Sequence, residues 1–558
     1  MKSRLRDAQR RVTCLSMAGA IALVTSSGAL GAESAPRPEG SGICKAQSKQ
    51  RSASGIEGQR KADLGGAYYV NPVLSGDHPD PSVLKDGDTY YKVSSSFDYY
   101  PGLVIWRSTD LVNWTPVGPT LHKPVGSVYA PNLVKHGGRY FIYFPGANLP
   151  INGVRPYGSG PSIATYVIHA DSPEGPWSDP INLNLFAIDP AHAVGPDGKR
   201  YLFVDDGRRV KLRDDGLATD GKLEKVYDGW PIPRDWVIEG VSLEGPEIVH
   251  RNGWYYMFSA QGGTSGPPTG HMTVVARSRS IDGPWENSPH NPLVRTQSVC
   301  EPWWSRGHPS PIQGPGGDWW LAYHGYENGF RTLGRQMLLE PMAWTSDGWP
   351  VARGGDLSSR LRKPRSGKSA PHGVALSDDF TRERFGVGLS FFSPAPGYRS
   401  TAEVSGGALH LKATGSTPDD GTLLLMNTGD HSYTVTVDVE IEDGANAGLL
   451  LFYNDEFYAG LSSDARRLHA YKAGEEAFYP AVGNAVGQRF QLRLVNDKNV
   501  ASFLLRAHGE DWRLIRSFEV SGYNHNVAGG FLSLRPGVFA TGKGSATFRN
   551  LVYSASSQ

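Results

Sequence analysis

Cysteine is scarce: three residues in a chain of 558. Cys14 falls in the N-terminal leader, which leaves Cys44 and Cys300, a pair that could join in an oxidising compartment but is too few for a disulfide framework. Charge of either sign is also lacking in surplus. The formal net charge is +1, and the basic start Lys2, Arg4, Arg6, Arg10 and Arg11 against Asp7 more than accounts for it. The remainder is slightly acidic, which argues against a nucleic-acid partner. Long apolar runs are missing except near the start, where Leu15, Ala20, Ile21, Ala22, Leu23 and Val24 follow the basic residues and precede small residues from Gly28 to Ala32. That order reads as an export signal over 1–32, removed after Gly31 or Ala32, rather than as a membrane anchor. The expected location is periplasmic or extracellular. Residues 33–66, rich in Gly, Ser, Lys and Arg, read as a loosely ordered lead-in.

What the chain has in quantity is aromatic residues and glycine: aromatics make up 11%, with 14 Trp and 25 Tyr, beside 68 Gly. The mixture favours β-structure with many turns and leaves aromatic surface suited to sugars. A chain of this length cannot pack around one core, so two or more domains are expected. One short pattern organises the first of them. A polar turn with glycine, then an aromatic run, recurs as Gly87-Asp-Thr-Tyr-Tyr91, Gly137-Gly-Arg-Tyr-Phe141, Gly198-Lys-Arg-Tyr-Leu-Phe203, Gly253-Trp-Tyr-Tyr-Met257 and Gly317-Asp-Trp-Trp-Leu321. The spacing, about 50 to 65 residues, is that of propeller blades, since a lone hairpin cannot bury its aromatic face and needs neighbours. Five copies imply five blades over 67–359.

Upstream of each aromatic run a proline occupies a matching slot: Pro81, Pro131, Pro190, Pro246 and Pro309. The residues before them are Asp80, Ala130, Asp189, Gly245 (after Glu244) and His308. The innermost strand of each propeller blade lines the central channel, so equivalent positions converge on the axis. Three carboxylates and a histidine would meet there. Like charges in a partly dry site raise one another's pKa, and such a cluster suits proton transfer or a cation. Glycoside hydrolysis needs one protonated and one ionised carboxyl. Taken singly, Asp80-Pro81 and Asp189-Pro190 could be ordinary turns and Glu244-Gly-Pro246 a loop; three in one repeat column favour catalysis. Glu247, three residues past Glu244, is the nearest competitor and should point away from the channel if Glu244 points in.

The stretch Asn71-Pro-Val-Leu-Ser-Gly-Asp-His-Pro-Asp80-Pro-Ser82, with Tyr129-Ala-Pro131, Ile188-Asp189-Pro190, Glu244-Gly-Pro246 and Leu333-Gly-Arg335, resembles glycoside hydrolase family 43 from about residue 70 to 350. The resemblance implies a five-bladed propeller and β-xylosidase, α-L-arabinofuranosidase or arabinanase activity. It also implies Asp80 as general base, Glu244 as general acid and Asp189 as the carboxylate that orients and tunes the acid. A wide gap between acid and base, about 6.5 to 9.5 Å, would leave room for water and give inversion. By the same resemblance Arg335 contacts sugar hydroxyls and the carboxylates, and Phe97 and Tyr129 wall the terminal sugar. His271 is a further candidate for the pocket lining, with a surface histidine as the rival reading. Many relatives carry Trp where Tyr129 stands. No cofactor is required, but the family often holds a cation on the axis near a histidine such as His308, and Ca2+ is the expectation there. The residues supply too few fixed oxygens to specify it strongly, so a structural histidine is the rival reading.

Asn113-Trp114, Gly175-Pro-Trp177 and Gly283-Pro-Trp285 recur at blade ends and read as packing between blades. Residues 360–373 read as a linker. Beyond them Tyr433, Val435, Val437, Val439 and Ile441 alternate with Thr434, Thr436, Asp438 and Glu440, and Phe490, Leu492 and Leu494 repeat the alternation. Residues 374–558 are therefore expected to form an antiparallel sandwich, and they resemble the concanavalin-like module behind xylosidase-type propellers. The combined expectation is an all-β, exported, inverting exo-glycosidase acting on terminal pentose of xylan, arabinoxylan or arabinan. Endo-arabinanase and a non-catalytic sugar-binding propeller are the alternatives.

Overall fold

The computed structural model describes residues 44, 51–148, 162–365, 370–479, 482–484 and 486–556; the leader lies outside them. The structure is all-β. Five antiparallel sheets, three of four strands and two of five, follow one another along the chain from Ser82 to Ala352, and a pair of larger sheets of eight and seven strands follows.

Each small sheet is one propeller blade. The innermost strands are Ser82–Asp86, Asn132–His136, Ala191–Val194, Glu244–Arg251 and Trp303–Gln313. The five glycine turns join each of them to a second strand that carries the aromatic run: Thr89–Val93, Arg139–Ala147, Arg200–Val204, Trp254–Gln261 and Trp319–Glu327. Gly87, Gly137, Gly198, Gly253 and Gly317 all take positive φ there, a conformation that costs glycine little and most other residues more. The aromatic faces bury against the next blade: Tyr256, Phe258, Leu321 and Tyr323 share one cluster and Phe141, Tyr143, Leu202 and Val204 another. Burying each such side chain contributes about 1.5–3 kcal/mol. The blade-end tryptophans pack as expected. Trp114 is fully buried, and Trp285 meets Phe203 of the preceding blade edge-on at 6.0 Å.

The expected lead-in needs correction in the part that is described. Ala53–Ser54 pairs with Arg60–Lys61, and Arg60 is buried. Its guanidinium donates to Glu327 at 2.7 Å, Gln336 at 2.7 Å and the Gly429 carbonyl at 2.6 Å, and its N–H donates to Asp430 at 2.8 Å. A buried guanidinium so fully paired holds the segment in place. The expected linker is likewise tied down at its start, where Leu361–Arg362 pairs with Tyr68–Tyr69.

In the C-terminal region Ser432–Ile441 buries every second residue, as its alternation requires, and lies between Ser545–Ala555 and Arg489–Asp497 in the seven-stranded sheet. The eight-stranded sheet holds a strand that the sequence does not announce. Tyr99–Tyr100, from blade 1, pairs with Ser390–Phe392 at its edge. The sandwich core is therefore continuous with Phe97, Tyr99, Tyr100 and Leu103 of the propeller. Cys44 and Cys300 are both half-cystines.

Candidate active site

In blades 1, 3, 4 and 5 the residue before the proline turns the chain into the channel. Asp80 (φ 52°), Asp189 (φ 53°), Gly245 (φ 55°) and His308 (φ 60°) adopt the left-handed conformation, which sterics disfavour for most residues before proline. In a non-glycine residue such backbone strain costs about 1–3 kcal/mol and is typical of functional sites. The glycine in blade 4 has a second reason: a Cβ at Gly245 would come within 2.8 Å of the His308 ring. The chain thus spends its acid one residue earlier, at Glu244, the first residue of its inner strand.

Asp80 is 5% exposed. Its carboxylate accepts from both terminal nitrogens of Arg335, at 2.9 and 3.2 Å, and from the Ser95 hydroxyl at 2.5 Å. His324 Nδ1 lies 3.0 Å from the same carboxylate. Burial alone would raise this carboxyl, but the Arg335 guanidinium and the histidines beside it hold it well below the usual carboxylate range. Asp80 is ionised.

Asp189 and Glu244 are pushed the opposite way. Asp189 is buried and accepts the Gly245 N–H at 2.9 Å; burial first, then the charges of Glu244 and Asp80, raise it well above the usual value. Glu244 sits deep but keeps partial exposure, open to the channel. Burial and then Asp80 raise it to about 8, against the pull of Arg335. Two facing acids in one dry site cannot both ionise, so the pair titrates as a unit and keeps a proton through neutrality. His308 joins the two halves: its Nδ1 lies 3.4 Å from Asp80 and 4.0 Å from Asp189. Carboxylates from blades 1 and 3 therefore share one imidazole, which burial lowers and keeps neutral.

The expected sugar walls are adjacent. Phe97 meets Tyr129 edge-on at 5.6 Å, and the Arg335 guanidinium lies 5.7 Å from the Phe97 ring. His271 is buried, stacked flat on His324 at 5.3 Å and 2°, and neither ring nitrogen has a hydrogen-bond partner. It thus backs the Asp80 cluster through His324.

Four features escape a reading of the repeat. His324 and Ser95 fix Asp80 from the second strand of blade 5 and from the loop after Val93; neither stands in the proline column. Phe531 comes from the sandwich, meets Tyr129 edge-on at 6.4 Å, and sits 5.2 Å from the Arg335 guanidinium. It stacks on His525 at 3.9 Å. The neighbouring Asn526 donates to the Ser265 carbonyl at 2.9 Å, while Glu239 accepts the Ser265 and Gly266 N–H groups at 2.7 and 3.1 Å. The Gly262–Gly270 stretch is thereby pinned on both sides.

Glu247 does not point away from the channel. The register shifts between Glu244 and Glu247, and this bulge cancels the opposite facing that regular alternation would impose. Its carboxyl accepts from Asn132 of blade 2 at 3.0 Å and meets the Ser82 hydroxyl of blade 1. It closes a second ring two residues beyond the first, in which Ser310 accepts the Val83 N–H at 3.0 Å, Ser82 the Leu133 N–H at 3.0 Å and Asn132 the His192 N–H at 2.9 Å. In blade 3 the corresponding residue is Ala191, which has no acceptor to offer. In blade 5 the donor position is Pro311, so Glu247 finds no N–H there and reaches across the axis instead.

Calcium takes six to eight oxygen ligands. The side chain His308 faces most closely is Asp80, whose oxygens already receive Arg335 and Ser95 and whose backbone N–H donates to His324. Among the described residues no three His, Cys, Asp or Glu side chains are grouped to hold a metal ion. The donor set around His308 does not fit a side-chain calcium shell, and no chemical step below is routed through an ion.

A family model described as glycosyl hydrolases family 43 matches residues 69–350, and one described as the beta xylosidase C-terminal concanavalin A-like domain matches residues 377–554. The chain is similar to the non-reducing end alpha-L-arabinofuranosidase of Bacteroides ovatus, 28% identical over 86% of this chain and 92% of that one. It is similar as well to a xylan 1,3-beta-xylosidase of a Vibrio species, 32% identical over 50% of this chain and 56% of the other. Among solved structures, a family 43 protein of Bacillus licheniformis superposes with a TM-score of 0.77 at 25% identity, covering 88% of this chain and 100% of its own.

Proposed function

Because the chain belongs to glycosyl hydrolase family 43, and is thereby a glycoside hydrolase, we propose that it is an inverting exo-glycosidase releasing a terminal β-D-xylosyl or α-L-arabinofuranosyl residue from plant cell-wall glycans such as xylan, arabinoxylan or arabinan. The observation that carries this reading is the division of labour in one channel: Asp80 is held ionised by Arg335, while Glu244 and Asp189 keep a proton. In the proposed reaction Glu244 gives its proton to the glycosidic oxygen as the bond to the anomeric carbon breaks. Asp80 takes a proton from the water whose oxygen bonds to that carbon on the opposite face. Asp189 holds the blade 4 turn through Gly245 and keeps Glu244 protonated. Arg335 would serve sugar hydroxyls, while His271 stays behind His324 as backing for Asp80.

Exo action is supported by the sandwich segment carrying Phe531 and Asn526, which shuts one side of the channel mouth. A pocket closed on one side accepts a chain end more readily than a chain middle. Export is part of the proposal. It rests on the leader pattern, and the half-cystines Cys44 and Cys300 suit an oxidising compartment. No helix among the described residues is long and apolar enough to cross a membrane.

The test is release of nitrophenol from nitrophenyl β-D-xyloside and α-L-arabinofuranoside, with the first-formed anomer read by NMR. Release from either, with the anomeric configuration inverted, is expected. Cleavage of debranched arabinan at internal bonds would point to an endo-arabinanase, and no release from any substrate to a binding propeller.

A further inference from the structure

A second cavity, of about 80 Å³, lies between blade 1 and the sandwich. Residues 92–96 form the wall between it and the catalytic channel. Lys92, Ser94, Ser95 and Ser96 line the cavity, and Ser95 also donates to Asp80. Trp106, Val387 and Arg535 complete much of the rest. Apart from Ser95, none of these groups takes part in the hydrolysis proposed above.

The charges of this cavity do not balance. Lys92 has 0% exposure. Its ammonium carries three donors, yet among the described residues its one hydrogen-bond partner is His78 Nδ1 at 3.1 Å. Burial keeps that imidazole neutral, so it offers a lone pair and no charge. The carboxylate nearby, Asp77, is committed elsewhere: one oxygen accepts the Arg335 N–H at 3.2 Å and the other accepts from Arg535 at 3.2 Å. Arg535 also donates to the Ser533 hydroxyl and lies over the face of Tyr99, 3.4 Å from the ring centre. Arg535 and Asp77 thus cancel, and Lys92 is left as a buried cation with no counter-charge. The Ser94 and Ser96 hydroxyls, both cut off from solvent, have no hydrogen-bond partner among the described residues.

A lone buried ammonium is costly, and so is a buried hydroxyl without a partner. One small acceptor bearing a negative charge would satisfy all three at once. We propose that this cavity binds a single small inorganic anion of halide size, held by the Lys92 ammonium and the Ser94 and Ser96 hydroxyls. The volume suits the assignment: a water occupies about 30 Å³ of liquid, so the space has room for a halide and one or two waters. The rival occupancy is water alone beside an uncharged amine, which burial makes accessible by pushing Lys92 down to about 7.

Crystals of the full chain grown in sodium bromide, with data collected at the bromine absorption edge, separate the two. The expected result is an anomalous peak within hydrogen-bond distance of Lys92 Nζ, absent from the Lys92→Met variant. No peak, or one that persists in Lys92→Met, overturns the proposal. Melting temperature provides an independent reading that survives failure of that variant. Wild type should melt higher in sodium chloride than in sodium gluconate of equal ionic strength, and Ser94→Ala should raise the chloride concentration for half effect roughly tenfold. Equal melting in the two salts counts against the site. Since no group of the hydrolytic machinery is altered, these outcomes stand whether or not the glycosidase assignment does.

Discussion

Two rings of residues cross the propeller axis two positions apart, and they do different work from the same repeat. The ring before the prolines, Asp80, Asp189, Gly245 and His308, takes left-handed backbone and gathers the charges. The ring beyond them, Ser82, Asn132, Glu247 and Ser310, lies on the inner strands and ties blade to blade through N–H groups. Proline makes the difference. It cannot donate to a ladder, so the residue in front of it is released from pairing and can be turned inward at a strain cost, while two residues later the strand resumes and side chains must serve neighbouring backbone. The first ring spends stability on chemistry; the second recovers it.

That contrast predicts which measurements move together. Glu244→Gln and Asp80→Asn should each lower kcat/KM by about 10²–10⁴-fold, with a melting temperature equal to or above wild type for the glutamine, since an uncharged amide relieves the crowded acids. A large loss of stability with only a small loss of activity in both variants would break the division between the rings. In wild type, activity should fall as pH rises through about 8, the value to which Glu244 is raised, because the acid must be protonated. Asp80, held low, should impose no acid limb near neutrality.

Phe531→Ala should act on binding, lowering kcat/KM by roughly tenfold mainly through KM, measured on the same nitrophenyl substrates. An equal fall in kcat would place Phe531 in the chemistry instead.

The smallest expected effect belongs to the second ring. Burial raises Glu247 to about 8 from an ordinary value of 4.5, so its folded form holds a proton that the unfolded chain gives up. The stability it contributes is fully present below about pH 4.5 and lost as pH rises through 8. Glu247→Gln, which keeps the neutral geometry toward Asn132, should flatten part of the decline in melting temperature between those limits and leave kcat/KM little changed. Glu244 and Asp189 share the same direction of shift, so part of the slope should remain. An unchanged slope would show that Glu247 is not the proton holder it is taken to be.

The propeller was legible because each blade repeats the glycine turn and aromatic run, and repetition at a fixed interval is a signal that one sequence carries internally. The sandwich was legible at Ser432–Ile441, where alternation with period two survives in full. Asp80, Asp189 and Glu244 could be named because the proline column marks them. What stayed hidden depends on contacts between distant segments. Nothing near Tyr99 announces that it pairs with Phe392, and Phe531 reaches Tyr129 across some four hundred residues. Glu247 was misread for a local reason: alternation predicts facing only where the ladder is regular, and the bulge after Glu244 is invisible to it. The lead-in was misread because composition weighs Lys and Arg as solvated, whereas Arg60 is buried among acceptors from both domains.

The central claim is that Glu244 supplies the proton and Asp80 handles the water, and a leaving group that needs no proton separates the two roles. Wild type, Glu244→Gln and Asp80→Asn would be compared on nitrophenyl and dinitrophenyl glycosides of the sugar that the wild type releases. The account predicts that the dinitrophenyl substrate restores much of the activity of Glu244→Gln and none of that of Asp80→Asn. Equal rescue of both variants, or rescue of Asp80→Asn alone, would contradict it.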